Sequence, residues 1–148
     1  MRLRIIPDIV NDQKLCVLSK QNTAREAAKQ MTENNIAAIV VTDDGGTLVG
    51  IITERDLTRR IIAGNLDADK VTVGEIMTGN PDTLAPRDSA LDALELMGTR
   101  KYRHLPVVDD GRIVGMVSIR DLYAAVKTAL EKDIRETEAF VFGDRYGA

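Results

Sequence analysis

Apolar residues along the chain fall into short runs separated by polar turns, and the order of those runs occurs twice. Leu48-Val49-Gly50-Ile51-Ile52 returns as Ile113-Val114-Gly115-Met116-Val117, both rich in β-branched residues and of strand length. Ahead of each stands another apolar run, residues 36–41 and 102–108, joined to it by Asp-Asp-Gly at 43–45 and 109–111. Two runs separated by a Gly-containing turn predict a hairpin, with Gly46 as a one-residue insertion in the first copy. Pro106 predicts a strand end or edge, because it cannot donate to a ladder.

Helical periodicity flanks both hairpins. Behind Thr23 the residues Ala24, Ala27, Ala28 and Met31 recur at helical spacing, and behind Ser89 so do Ala90, Leu91, Leu94 and Met97. Thr23 and Ser89 are good N-caps. After the hairpins, Leu57, Ile61 and Ile62 in one copy and Leu122, Val126 and Leu130 in the other form inward stripes. Adding Lys14-Leu15-Cys16-Val17-Leu18 as a buried first strand, each half reads strand, helix, strand, strand, helix. The fold class is therefore α/β (α+β): two pseudo-symmetric repeats, each a small three-stranded sheet packed with two helices. The expected boundaries are 8–66 and 71–130, with residues 64–70 as linker and 131–148 as a helix extension ending in an aromatic tail. Halves of this size are marginal alone and are expected to share one core.

Charge narrows the function. A formal net charge of −3 with both signs interleaved leaves no clustered basic face, which excludes a sequence-independent grip on nucleic acid. No apolar run reaches membrane-spanning length, and Pro7 and Asp8 cut the basic N-terminal stretch before a signal-peptide core forms. The expected location is cytoplasmic. Cys16, the one cysteine, reads as a buried small hydrophobe. One His and one Cys cannot supply the ligand set of a zinc or iron site, so no metal is expected.

The chemistry sits in the duplicated motif. Thr53-x-x-Asp56 and Ser118-x-x-Asp121 fit a capping box at a helix start. They equally fit a ribose site, since an acceptor-only carboxylate can take both sugar hydroxyls while the hydroxyl side chain and free helix amides serve a phosphate. Duplication copies caps as readily as sites, so both readings stand. Ser118, His104 and Asp121 also contain the residue types of an acyl-transfer trio, but the first copy keeps Thr53 and Asp56 with Ala38 in place of the His. No enzyme is expected.

The motifs Gly50-Ile51-Ile52-Thr53-Glu54-Arg55-Asp56-Leu57, Ile76-Met77-Thr78, His104-Leu105-Pro106-Val107-Val108-Asp109 and Gly115-Met116-Val117-Ser118-Ile119-Arg120-Asp121-Leu122 closely resemble a tandem pair of CBS domains, the Bateman module, over about residues 8–130. The resemblance implies a regulatory module that binds adenosine-containing ligands (AMP, ADP, ATP, NAD or S-adenosylmethionine) in clefts between the repeats. It implies Thr53, Asp56, Ser118 and Asp121 as ribose contacts. Ala38, Val17 and Thr83 then line the adenine slots, and Arg103, His104, Arg120 and Arg55 meet phosphate. Because the first copy has Ala37 and Ala38 where the second has Arg103 and His104, the Asp121 cleft is expected to hold a phosphate-bearing ligand more tightly. The resemblance further implies a homodimer through helices and an effector protein that receives the signal. Phe140, Phe142 and Tyr146 make the tail a candidate for higher assembly or partner docking.

Overall fold

The structure is a computed structural model that describes residues 2–146, with side chains described through residue 142. The first repeat comprises β1 (Val17–Ser19), α1 (Ala24–Asn34), β2 (Ala38–Thr42), β3 (Leu48–Thr53) and α2 (Glu54–Asp56), which runs on through a π-type turn, Leu57–Ile62. Two short elements follow, α3 (Val73–Ile76) and β4 (Thr78–Gly79). The second repeat comprises α4 (Ala90–Arg100), β5 (His104–Asp109), β6 (Arg112–Ser118) and α5 (Ile119–Tyr146).

Local chemistry accounts for the punctuation. Thr23 and Ser89 cap α1 and α4 by accepting from the amides of Glu26 and Asp92. Asp110 and Gly111 both take positive φ, 50° and 80°, which gives the two-residue turn whose twist suits an antiparallel hairpin. In the first hairpin the added Gly46 (φ 81°) lengthens the loop, and Asp43 Oδ1 holds it by accepting from the amides of Gly45 and Thr47.

β1 pairs parallel with β2, β2 antiparallel with β3, and β3 antiparallel with β4. The three strands expected in the first repeat are thus joined by a fourth from beyond the linker. In the second repeat β5 pairs with β6, and the first-strand position is reduced to a parallel bridge between Leu84 and Val107. Pro106 lies inside β5 rather than at its end. Its backbone faces the side bridged only at Leu84, whose amide donates to the Pro106 carbonyl, so the missing N–H breaks no ladder.

Each repeat is completed by the segment that precedes the other. Val73 and Ile76 pack into the first core with Leu18, Ala27, Met31 and Ile52. Ile5 and Val10 pack into the second with Leu84, Met97, Val107 and Leu122. The backbone repeats the exchange: Ala24 N–H donates to Val71 O at 2.9 Å, and Ala90 N–H donates to Leu3 O at 2.9 Å. A third cluster of Ala38, Val40, Ile51 and Met116 joins the two repeats.

Three residues expected to point inward do not. Ile62 is exposed because its neighbour Ile61 takes the buried position and adjacent helical residues cannot share a face. Leu91 is exposed because the buried face of α4 runs through Ala90, Ala93 and Met97. Leu130 is exposed because α5 continues past the body it packs on. The expected aromatic tail is helical in its described part, carrying Phe140 and Phe142 on α5; the side chain of Tyr146 and residues 147–148 lie outside the described residues.

Candidate functional site

The duplicated hydroxyl and acidic residues stand where β3 and β6 turn into helices. Asp56 Oδ2 accepts from the Thr53 amide at 2.9 Å and from the Thr53 hydroxyl at 3.1 Å, and the Asp56 amide donates back to Thr53 Oγ1 at 3.2 Å. In the second copy Asp121 Oδ2 accepts from the Ser118 amide at 3.3 Å, and the Asp121 amide donates to Ser118 Oγ at 3.0 Å. Both motifs are therefore formed capping boxes. Each uses one carboxylate oxygen; the Oδ1 atoms accept no hydrogen bond among the described residues.

The helix starts are less open to an anion than free amides alone suggest. The first amide of each helix is already taken within its own repeat, Glu54 N–H by Ala37 O at 2.9 Å and Ile119 N–H by Arg103 O at 2.8 Å. The third is taken by the cap, which leaves the amides of Arg55 and Arg120.

Two clefts of about 720 and 670 Å³ open on these motifs. Their construction is crossed. Thr53, Arg55 and Asp56 of the first repeat share one cleft with Tyr102, Arg103 and His104 of the second. Ser118, Arg120 and Asp121 of the second share the other with Ile36, Ala37 and Ala38 of the first. The register explains the crossing, because Ala38 pairs with Thr53 and His104 with Ser118, which sets each strand entry beside its own motif and at the seam between the repeats.

Arg103, His104 and Ala37 line both clefts. The expectation of a tighter Asp121 cleft assigned Arg103 and His104 to that cleft alone, and the lining removes that premise. The Asp56 cleft also has Arg55, Arg59, Arg100 and Lys101, offset by Glu54, Asp56 and Asp82, while the Asp121 cleft has Lys14 and Arg120 against Asp121. The formal charges of the two linings are equal. Burial differs, since Asp56 is half-buried and Asp121 exposed.

Val17 and Thr83 line neither cleft. Side chains alternate along a strand, and in β1 Leu18 takes the core side while Val17 faces outward. Thr83 is likewise exposed beside the buried Leu84. Their neighbours reach the clefts instead, Asp82 in the first and the half-buried Cys16 in the second, where Cys16 also packs against the first core. Sequence reasoning also missed Lys101, which ends α4 in the left-handed region at φ 60°, as Asn35 ends α1 at φ 51°. Their signal was positional, one residue before each strand-entry segment.

Burial pushes the His104 imidazole below its ordinary value of 6.5, against the pull of Asp121 and Glu54, and Arg103 adds to the depression. The unfolded chain then binds a proton at higher pH than the folded one, so stability is lost as pH falls below 6.5 toward the folded value. His104→Gln is expected to lose less stability than wild type between about pH 7.5 and 5.5, read from urea midpoints. Equal losses would remove His104 from this role.

Crossed clefts on a duplicated α/β unit define a paired-repeat module. A model of the CBS domain matches residues 6–63 and 73–128, and the chain belongs to the CBS domain family as a tandem pair. The mitochondrial CBS domain-containing protein CBSX3 of Arabidopsis thaliana is 37% identical over 126 residues, covering 82% of this chain and 61% of that protein. Among solved structures, a CBS-domain protein from Burkholderia ambifaria is 30% identical with a TM-score of 0.79, covering 84% of this chain and 93% of that one. The CBS domain pair of protein MJ0100, in complex with 5′-methylthioadenosine and S-adenosyl-L-methionine, is 28% identical with a TM-score of 0.77, covering 87% and 99%. CBS pairs are typically regulatory modules rather than catalytic ones. Among the described residues no helix is long and apolar enough to cross a membrane.

Proposed function

We propose that this chain is a regulatory module that binds adenosine-containing ligands, one in each crossed cleft, and passes the bound state to a separate effector protein. The observation that carries this reading is the union, twice over, of an acid with a free Oδ1, a hydroxyl neighbour and basic residues in a cleft built from both repeats. Cleft volumes near 700 Å³ suit a nucleotide. The adenosine compounds held by the MJ0100 pair support the ligand class.

Asp56 and Asp121 hold the ribose hydroxyls through Oδ1 while Oδ2 stays in the cap. Arg55 and Arg120 stand at the phosphates, and Arg103 and His104 serve whichever cleft is occupied. Ala38, with Ile36 and Cys16, offers an adenine ring the apolar wall of the Asp121 cleft. Since each ligand touches both repeats, binding changes the angle between them only as far as it prefers one arrangement. AMP, ADP, ATP, NAD and S-adenosylmethionine are the compounds to test, and the acting unit is a homodimer associated through its helices.

Calorimetric titration with this panel checks the reading. Two sites are expected for the ligand that binds, and Asp56→Ala or Asp121→Ala each weakens one of them by about 10- to 100-fold, the usual loss of a charge-assisted hydrogen bond. The Asp56 loss is expected to be the larger, because its carboxylate is less solvated. Labelling of Cys16 reports the Asp121 cleft independently, since ligand there shields the thiol.

A second reading has its own support. Both motifs are complete helix caps on the hydrogen bonds of their own residues, which suits a ligand-independent scaffold. Absence of heat from every compound at saturating concentration favours the scaffold and ends the first reading.

A further inference from the structure

The edge of β6 away from β5 is met by a side chain where the matching edge of β3 is met by a strand. In the first repeat Ile51 of β3 pairs with Thr78 of β4. At the corresponding place in the second repeat the Met116 amide donates to Gln13 Oε1 at 2.8 Å, across 103 residues of sequence. That bond fixes which way round the carboxamide stands, because only its oxygen can accept from an amide. Nε2 is therefore the outward end. Among the described residues it donates no hydrogen bond, and Oε1 keeps a second lone pair.

Gln13 shares the Asp121 cleft with Met116 and Ser118. Those two stand on one face of β6, roughly 6–7 Å apart along the strand, while Val117 between them turns into the core. With the ribose on Asp121 and the phosphate at Arg120, the base is left the end of the cleft beside Met116. The lining there, Leu15, Ile36 and Ala38, is apolar, and Gln13 brings a polar group of fixed orientation to it.

We propose that Gln13 reads the base in this cleft, Nε2 donating to a ring nitrogen of adenine while Oε1 accepts from the 6-amino group beside it. This rests on the reading that the cleft holds an adenosine compound. A glutamine carboxamide matches that donor and acceptor pair as a unit. A 6-oxopurine carries an oxygen where adenine carries the amine, and so sets acceptor against Oε1. A free glutamine would answer by turning over. Gln13 is held, since turning would aim Nε2 at the Met116 N–H and leave that amide without an acceptor. In the Asp56 cleft the corresponding place is main chain of β4, so this means of selection belongs to one cleft.

Cys16 supplies the readout, being the one cysteine of the chain and part of the lining of this cleft. AMP and IMP, which differ only at the 6-position of the purine, are compared by the concentration of each that half-protects the thiol from a maleimide. The full chain is measured as wild type, Gln13→Met and Gln13→Glu, each confirmed folded by its melting curve. Wild type is expected to prefer AMP by roughly 5- to 150-fold, the usual discrimination of a two-point base contact. Both variants should bring the two nucleotides within about threefold of each other, and Gln13→Glu still accepts from the Met116 amide, which separates base reading from closure of the sheet edge. A preference that survives in both variants would overturn the proposal, as would equal protection by AMP and IMP in wild type. Either result leaves the nucleotide reading of the clefts standing, whereas no protection and no heat of binding from AMP or any other adenosine compound would end both.

Discussion

Ile5→Ala is expected to lower the melting temperature by roughly 5–15 °C, although Ile5 lies outside both hairpins and ahead of every strand. The side chain is fully buried among Leu84, Met97, Val107 and Leu122, so truncation removes transfer energy and leaves a cavity, together about 2–5 kcal/mol. The segment is also tied by main chain: Ile5 N–H donates to Asp88 O and Ile6 N–H to Pro86 O, both at 3.0 Å. Native-state hydrogen exchange should therefore show faster opening in β5 and β6 than in β2 and β3. Deleting residues 2–10 should exaggerate the same pattern. Equal opening in the two sheets, or a shift below about 2 °C, would show that the segment is not part of the second core.

Gly50→Ala is expected to cost about 1–3 kcal/mol, and Gly115→Ala clearly less, although the two glycines occupy matching places in the repeat. A Cβ on Gly50 would overlap Met77 Sδ and stand 2.9 Å from the Thr78 carbonyl oxygen, which belongs to the paired backbone of β4 and cannot retreat. At Gly115 the nearest atoms are Val10 Cγ2 at 3.1 Å and Gln13 Oε1 at 3.3 Å, side-chain atoms rather than backbone, so the added methyl asks for a shift of only a few tenths of an ångström, resisted by the core packing of Val10 and the hydrogen bond from the Met116 amide to Gln13 Oε1. Urea midpoints for the two variants measure the difference. A Gly115→Ala loss as large as that of Gly50→Ala would contradict the role given to β4.

Those glycines mark the limit of what can be read from the chain. Hairpins and helices were legible because their determinants are local: β-branched runs, Asp-Asp-Gly turns, Thr23 and Ser89 before apolar stripes. The positions of Thr53, Asp56, Ser118 and Asp121 followed from duplication. The partner of a crossing segment is set by packing across some 80 residues, from Ile5 to Leu84, and leaves no periodicity in either stretch. That is why Gly50 and Gly115 stood out as a repeated letter without their reason, the chain that passes over each. The sharing of Arg103 and His104 was hidden likewise, since an alignment of copies assigns a residue to one repeat and cannot show that it faces two clefts. Val17 and Thr83 show the finer limit, where strand phase decides which of two neighbours reaches a cleft.

The crossing segments have a bearing on how a duplicated chain of this kind can arise. A half-length ancestor, one leading segment followed by one repeat, would leave its own core open, since the segment that fills each core precedes the other repeat. Two such chains could fill each other's gaps only by trading segments, a domain swap whose yield depends on concentration. Joining the halves end to end makes the trade intramolecular, at an effective concentration on the order of millimolar. Tandem duplication then supplies the missing element in the same molecule, and a half gene would encode a chain that folds only in pairs.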